Sequence, residues 1–525
     1  MKKITRLLAS LFAVIVLASC GSGANQVSDK TKLTFASTKD IRDINPHLYA
    51  GEMAAQNMIF EGLVINTKDG VKPHLATKWD ISEDGLTYTF DLREDVSFSD
   101  GEKFNAHAAK ANFDALLNNR KRHAWIETAN NIDTVTVKDD YTLVLTIKTP
   151  YYPTLEELGM TRPFRFISPK SMKDGNTKDG VSSFVGTGPY VLSEHVANQY
   201  STFTANENYW GDKPKLKTIT WKVLPDEQAM LLALQNGEVD LLFGADGDAI
   251  DINAYKQLEA KGEYMTTISD PIASRALILN TQNEHLSNAT IRLALQHAVD
   301  KKSIADGVLN GTENPANALF ANTIPYANVS LEGHVFDLSK AQSLIESQGY
   351  SKNAEGYMQK DGKVLQLTLS YNNQNAQEKT IGEYIQADFK KIGVKLNLLG
   401  EEKQAFFDRQ KTGEFDMQYL LSWGVPYDPQ TSISSWRVPA HADYQAQLGL
   451  DKKAWLDETI SRVMAEQDDA KRQALYKDIL TYIHEQNVYV PMTYSRTKAV
   501  YKPILKGVGF NLSQYEIPFE KMYFE

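Results

Sequence analysis

The stretch that decides the fold is IGEYIQADFKKIGVKLNL, residues 381–398. Ile381, Tyr384, Ile385, Phe389 and Ile392 recur at three- and four-residue intervals and draw one apolar stripe along a helix. Gly393 stands where that helix ends, since a left-handed cap residue costs glycine least. Val394, Leu396 and Leu398 then alternate with polar residues, the period of a strand with one buried face. Helix, glycine and strand in so short a run form one unit of a sheet covered by helices.

The same rhythm extends outward from this unit. Residues 365–369 alternate just before it, and residues 275–279 read as a strand. Ile291, Leu295, Ala298 and Val299 share one helical face. Ser339 and Gln342 make a capping box ahead of Leu344 and Ile345, with Gly349 at the C-terminal cap. A helix carrying Leu475, Ile479 and Ile483 precedes strand-like residues 488–491 and 499–501. Toward the N-terminus, residues 33–36 are a short apolar strand and LTYTFDL (86–92) alternates. Asn105 reads as the N-cap of a helix with Phe113, Leu116 and Leu117 on one face. Residues 134–137 and 142–147 form a β pair turning at Asp139 and Asp140. The order implies an α/β chain of two lobes. Lobe I is 32–265 plus 485–525, with a β-rich subdomain inserted at about 70–182, and lobe II is 266–484. Two crossing segments between lobes imply a hinge and a ligand cleft.

The first residues carry Lys2, Lys3 and Arg6, then an apolar run over 7–18. That is a secretory signal over 1–19, too short to span a bilayer core of about 30 Å as a helix. It ends in Leu17-Ala18-Ser19-Cys20, a lipobox, and Cys20 is the only cysteine of the chain. The expectation is lipidation at Cys20, a polar tether over 20–31, and anchorage on the outer face of the cell membrane. Cleavage removes three cations and no anions from a formal charge already at −10. So acidic a chain argues against a nucleic-acid partner. With no second cysteine, neither a disulfide nor a thiolate metal site is available.

Ten histidines are present, at 47, 74, 107, 123, 195, 285, 297, 334, 441 and 484, and no two lie within five residues. There is no H-x-x-H, no H-E-x-x-H and no acidic calcium loop, so an all-protein transition-metal cage is unsupported. Any bound metal must bring most of its ligands with it. One imidazole with organic carboxylates and amines would suit Ni²⁺. Hydrolase signatures are equally absent: no G-x-S-x-G, no phosphate loop, no catalytic cysteine. RPFRF (162–166) sets two arginines among rigid and apolar neighbours, and an arginine fork clamps a planar carboxylate well. The glycine and prolines of WGVPYDP (423–429) mark a loop where Trp423 and Tyr427 can face a cleft.

Taken together, LATKWDISEDGLTYTFDLREDVSFSDGEKFNA (75–106), VGTGPY (185–190), NENYWG (206–211), GEVDLL (237–242), IRLALQHAVDKKSI (291–304), DLSKAQSLIESQGY (337–350) and DFKKIGVKLNLLGEE (388–402) resemble the peptide/nickel class, family 5, of ABC-importer solute-binding proteins. The resemblance implies the two-lobe periplasmic-binding-protein fold of type II, cluster C. It implies a binding function with no catalysis and no catalytic cofactor, a permease and an ATPase as partners, and a monomer. NPHLYAGEM (45–53), RHAW (122–125), RPFRF (162–166), SWGVPYDP (422–429) and RVPAHADYQAQ (437–447) look like its nickel-binding branch. In that branch the metal arrives inside a small anionic chelate, for instance with L-histidine. Carried over, His441 is the metal ligand, Arg122 and Arg162 meet the chelator's carboxylates, and Trp125, Trp423 and Tyr427 wall the pocket. Tyr49 and Met53 match more loosely as pocket lining, and Arg165 is structural. Ala50 and Gln430 depart from the branch pattern, where a hydroxyl and, in some members, a histidine stand. The alternatives are an opine-type metallophore complex of nickel, cobalt or zinc, or an oligopeptide. Oligopeptide binders of the family carry an aspartate where this chain has Val425, and a buried ammonium left unpaired is costly.

Overall fold

The computed structural model describes residues 29–244 and 250–525. The signal, Cys20 and most of the expected tether lie outside the described residues. Two large sheets organise the chain into two lobes. The first has seven strands in the order Met265–Ile268, Lys498–Tyr501, Leu241–Gly244, Lys32–Ser37, Thr218–Val223, Tyr200–Ala205 and Tyr190–Val196. Lys32–Ser37 lies near its centre, parallel to both neighbours, with Phe35 opposite Trp221 and Leu241. Its alternation buries Leu33 and Phe35 in one apolar cluster with Ile219, Trp221 and Phe243, while Ala36 faces another with Met230 and Leu234.

The second sheet has six strands in the order Asn314–Pro315, Tyr489–Ser495, Ala273–Leu279, Met417–Leu421, Gln366–Asn372 and Lys395–Glu401. The deciding stretch becomes the helix Ala376–Lys391 and the strand Lys395–Glu401. Gly393 between them has φ 79°, the left-handed conformation its position called for. Ile381, Ile385, Phe389 and Ile392 pack on Leu367, Leu369 and Leu396. Earlier in the chain the capping prediction is corrected. The helix is Leu338–Ser347, and Asp337 caps it by accepting from the Lys340 N–H at 2.9 Å, so Ser339 lies inside its first turn. Asn105 caps Ala106–Leu117 as expected, accepting from the Ala108 N–H at 2.9 Å.

A four-stranded antiparallel sheet, Ala76–Ile81, Thr87–Leu92, Thr142–Ile147 and Ile132–Asp139, carries the helix Ala106–Leu117 against it. Two shorter helices, Glu127–Asn131 and Thr154–Leu158, accompany it where only one helix was expected. The chain between 485 and 525 also differs from expectation. Tyr489–Ser495 belongs to the six-stranded sheet, antiparallel to Ala273–Leu279, and only after it does the chain return to the first lobe. Val490 and Met492 are the reason: both are fully buried against Leu277, Leu279 and Ile291. The two crossings run side by side. Ser269 N–H donates to the Thr497 carbonyl at 2.9 Å, Ile272 N–H to that of Ser495 at 2.9 Å, and Arg496 Nε to that of Ser269 at 2.6 Å.

Away from the crossings the four-stranded layer touches the second lobe. Arg437 pairs with Glu127 at 2.8 Å, the Thr431 hydroxyl donates to Glu157 at 3.2 Å, and the Tyr152 and Tyr476 hydroxyls meet at 2.6 Å. These contacts bring the segments on either side of Trp125 and Trp423 face to face.

Candidate ligand-binding site

Residues 45–53 form a tight loop fixed from below. The Asn45 side chain donates to the Thr177 carbonyl at 2.8 Å and accepts from the His47 N–H at 3.0 Å. Gly51 is required there, since a Cβ would lie 2.4 Å from the Asp43 carbonyl oxygen. The loop presents Tyr49, and the helix Met53–Ile59 follows it.

Arg122 lies within a short turn, Arg120–His123, and remains exposed; its guanidinium carbon lies 4.7 Å from the centre of the Tyr49 ring. The guanidinium carbon of Arg162 lies 5.2 Å from the same centre, and its Nη1 donates to the Gly51 carbonyl at 3.0 Å. Burial pulls the Arg162 pKa below its ordinary value. Glu52, the acid nearest in the loop, pairs with Arg42 at 2.7 Å instead. Among the described residues no carboxylate is within ion-pairing distance of Arg122 or Arg162. Arg165 is different: it is buried, donates to the Met160 carbonyl at 2.9 Å and lies 3.6 Å from Glu516.

A continuous run of rings crosses between the lobes. Trp125 meets Tyr49 edge-on at 5.7 Å and Trp423 edge-on at 5.6 Å. Trp423 in turn touches Tyr427 at 6.2 Å and His441 at 5.8 Å. The loop holding Trp423 and Tyr427 is closed on itself by Asp428. That carboxylate accepts from the Ser422 hydroxyl at 2.5 Å, the Gly424 N–H at 3.0 Å and the Ser432 hydroxyl. Burial lifts the Asp428 pKa to about 6 against those donors. The acid of this loop is therefore consumed within it, and Val425 is buried.

His441 occupies the N-cap position of the helix Ala442–Gln447 without capping it, so its ring is turned to Trp423. Neither ring nitrogen makes a hydrogen bond among the described residues. Burial lowers its pKa and Asp443 opposes the shift, which favours the neutral imidazole a metal requires. Asp443 is itself held by the Tyr489 hydroxyl at 2.7 Å.

Of the residues expected from the sequence, Tyr49, Arg122, Trp125, Arg162, Trp423, Tyr427 and His441 are thus linked by successive contacts. Met53 starts the adjoining helix, half-buried, and no ring or hydrogen-bond contact joins it to the others. Two neighbours were not anticipated. His123 is fully buried and its Nδ1 lies 2.8 Å from the Tyr49 hydroxyl. Tyr515 stacks edge-on with Tyr427 at 6.3 Å. Among the described residues, no group of three His, Cys, Asp or Glu side chains is arranged to hold a metal ion. A cleft of about 700 Å³ lies elsewhere between the lobes, lined in part by Lys39, Asn253, Asn375 and Gln377, and includes none of these residues.

The family model of the bacterial extracellular solute-binding proteins, family 5, matches residues 70–444. The chain belongs to that family. Family 5 membership makes it a two-lobe α/β binding protein and not an enzyme. Among its relatives is the nickel-binding periplasmic protein of Escherichia coli K12, 42% identical over 98% of each chain. The structure of NikA from Brucella suis in complex with Fe(III)-EDTA is 44% identical, with a TM-score of 0.92 over 94% of this chain and 100% of that one. NikZ from Campylobacter jejuni in complex with Ni(L-His) is 26% identical, with a TM-score of 0.78 over 94% and 99%. No helix among the described residues is long and apolar enough to cross a membrane.

Proposed function

We propose that this family 5 protein captures nickel as a complex with a small carboxylate or amino-acid chelator, such as nickel–histidine, and hands it to the permease of an ABC importer. One observation carries the reading. Two guanidinium groups that have no carboxylate partner among the described residues flank Tyr49, and a run of rings links them across the lobes to one imidazole that makes no hydrogen bond among those residues. Such a box offers a dianion its charge complement and a metal one nitrogen. The chelator must then supply the remaining ligands. Arg122 and Arg162 receive the carboxylates, His441 ligates the metal, and Trp125, Trp423, Tyr427 and Tyr49 enclose the complex, with Met53 at the margin. The nickel-binding relative of Escherichia coli and the likeness to NikZ with Ni(L-His) support this choice of ligand. A peptide fits less well: Val425 offers its ammonium nothing, and Asp428 is already bonded within its own loop.

The protein works as a monomer tethered to the outer face of the membrane through lipidated Cys20. The test of the ligand is direct. Protein purified from rich medium is assayed for metal, and the small molecules released on denaturation are identified by mass spectrometry. The reading expects nickel with an equimolar or twofold carboxylate-bearing chelator. Metal-free protein carrying a peptide contradicts it.

A further inference from the structure

The Tyr49 hydroxyl oxygen and His123 Nδ1 are 2.8 Å apart, and either atom could donate. His123 is 0% exposed, and its Nε2 has no hydrogen-bond partner among the described residues. Burial, reinforced by the neighbouring Arg122 charge, draws its pKa down to about 4, so near neutral pH the ring carries a single N–H. If Tyr49 donated, that N–H would sit on Nε2, buried with no protein acceptor. If His123 donates from Nδ1, Nε2 holds only an unused lone pair. An orphaned buried donor is the rarer and more costly of the two.

The Tyr49 oxygen is then an acceptor toward His123, and its own proton must point elsewhere. Burial pushes the Tyr49 pKa up to about 12, so that proton stays in place. The ring is flanked by Arg122 at 4.7 Å and Arg162 at 5.2 Å. We propose that His123 is a positioning residue: by donating from Nδ1 it leaves the Tyr49 O–H free to act, beside the two arginines that flank the ring, as a third donor to a carboxylate of the bound chelate. The inference rests on the anionic-ligand reading above for the identity of the acceptor, and on the local geometry alone for the tautomer.

Two measurements test it. In protein labelled with ¹⁵N-histidine, long-range ¹H–¹⁵N spectra distinguish the tautomers, and the His123 signal is identified by its loss in His123→Asn. A protonated Nδ1 is expected; a protonated Nε2 overturns the proposal. Affinities for Fe(III)-EDTA and for nickel–L-histidine are then compared by calorimetry. Tyr49→Phe should weaken binding about ten- to a hundredfold, the range of one hydrogen bond to a charged group. His123→Phe should lose nearly as much, and the double variant no more than Tyr49→Phe alone. His123→Asn, whose amide N–H can take the place of Nδ1, should recover most of the loss. Unchanged affinity in a folded His123→Phe, or losses that add in the double variant, overturns the proposal. Should wild type bind neither probe, the ligand reading fails, while the tautomer spectrum still decides the role of His123.

Discussion

Replacing Arg162 with methionine removes a cation that the fold holds without neutralising. In the protein alone, Arg162 makes one hydrogen bond, 3.0 Å to the Gly51 carbonyl, and lies 5.2 Å from the Tyr49 ring centre. Those contacts are together worth about 1–2 kcal/mol. Against them stands the partial burial of a guanidinium with no carboxylate partner among the described residues, whose desolvation offsets those contacts and lowers its pKa. Methionine fills a similar volume without that cost. The ligand-free variant is therefore expected to be as stable as wild type or more so. With ligand the balance reverses. Charge-assisted hydrogen bonds to a carboxylate are worth about 1.5–3 kcal/mol each, so affinity should fall about ten- to a hundredfold or more. At a concentration a hundred times the wild-type dissociation constant, ligand stabilises wild type by about 2.7 kcal/mol, but a hundredfold weaker variant by only about 0.4 kcal/mol. Thermal unfolding with and without nickel–L-histidine, beside calorimetric titration, reads both quantities. Loss of about 3 kcal/mol in the ligand-free state, or a ligand-induced shift as large as wild type's, would instead make Arg162 structural.

Four further outcomes concern His441, His123 and Cys20. His441→Ala should lose affinity for the metal-loaded chelate while retaining that for the metal-free chelator, measured by parallel titrations. Because burial holds the His441 pKa below the ordinary value of about 6.5, wild-type binding should persist as pH falls through that value and decline only below it. The His123 pKa is lowered to about 4, so the unfolded chain binds a proton there that the native one refuses. The stability of wild type relative to His123→Asn should be constant above about pH 6.5 and fall by up to about 1.4 kcal/mol per unit toward pH 4 in denaturant titrations; a flat difference contradicts neutral burial. Cys20→Ala should appear in the soluble fraction or remain unprocessed, and a variant still cleaved and membrane-bound refutes the lipobox reading.

Where local chemistry decides, the sequence was readable. Gly393 closes its helix because the backbone turns to φ 79° there, and Asn105 caps because a short amide reaches the Ala108 N–H. Partner choice was less legible. Tyr489–Ser495 reads as a strand from its own residues, but only the packing of Val490 and Met492 assigns it to the six-stranded sheet. Ser339 fits a capping box as well as Asp337 fits a cap, and the carboxylate won the helix end. In the site, the aromatic loop of Trp423 and Tyr427 was marked by its glycine and prolines. Which of Arg162 and Arg165 is buried among backbone carbonyls depends on the course of residues 159–160, which no local pattern encodes. His123 was hidden between Arg122 and Trp125. Its sequence context is that of any turn histidine, and what sets it apart is its contact with Tyr49, seventy-four residues earlier in the chain.

On this reading the chelator, and not the protein, supplies most of the metal's ligands. Titration of metal-free protein with aqueous nickel, and separately with nickel–L-histidine, decides whether it does. Saturable, stoichiometric binding of the complex, with aqua-nickel binding at least about a hundredfold weaker, is the predicted result, because one imidazole alone makes a poor site. Equal binding of the bare ion, or no binding of any nickel chelate, would contradict it.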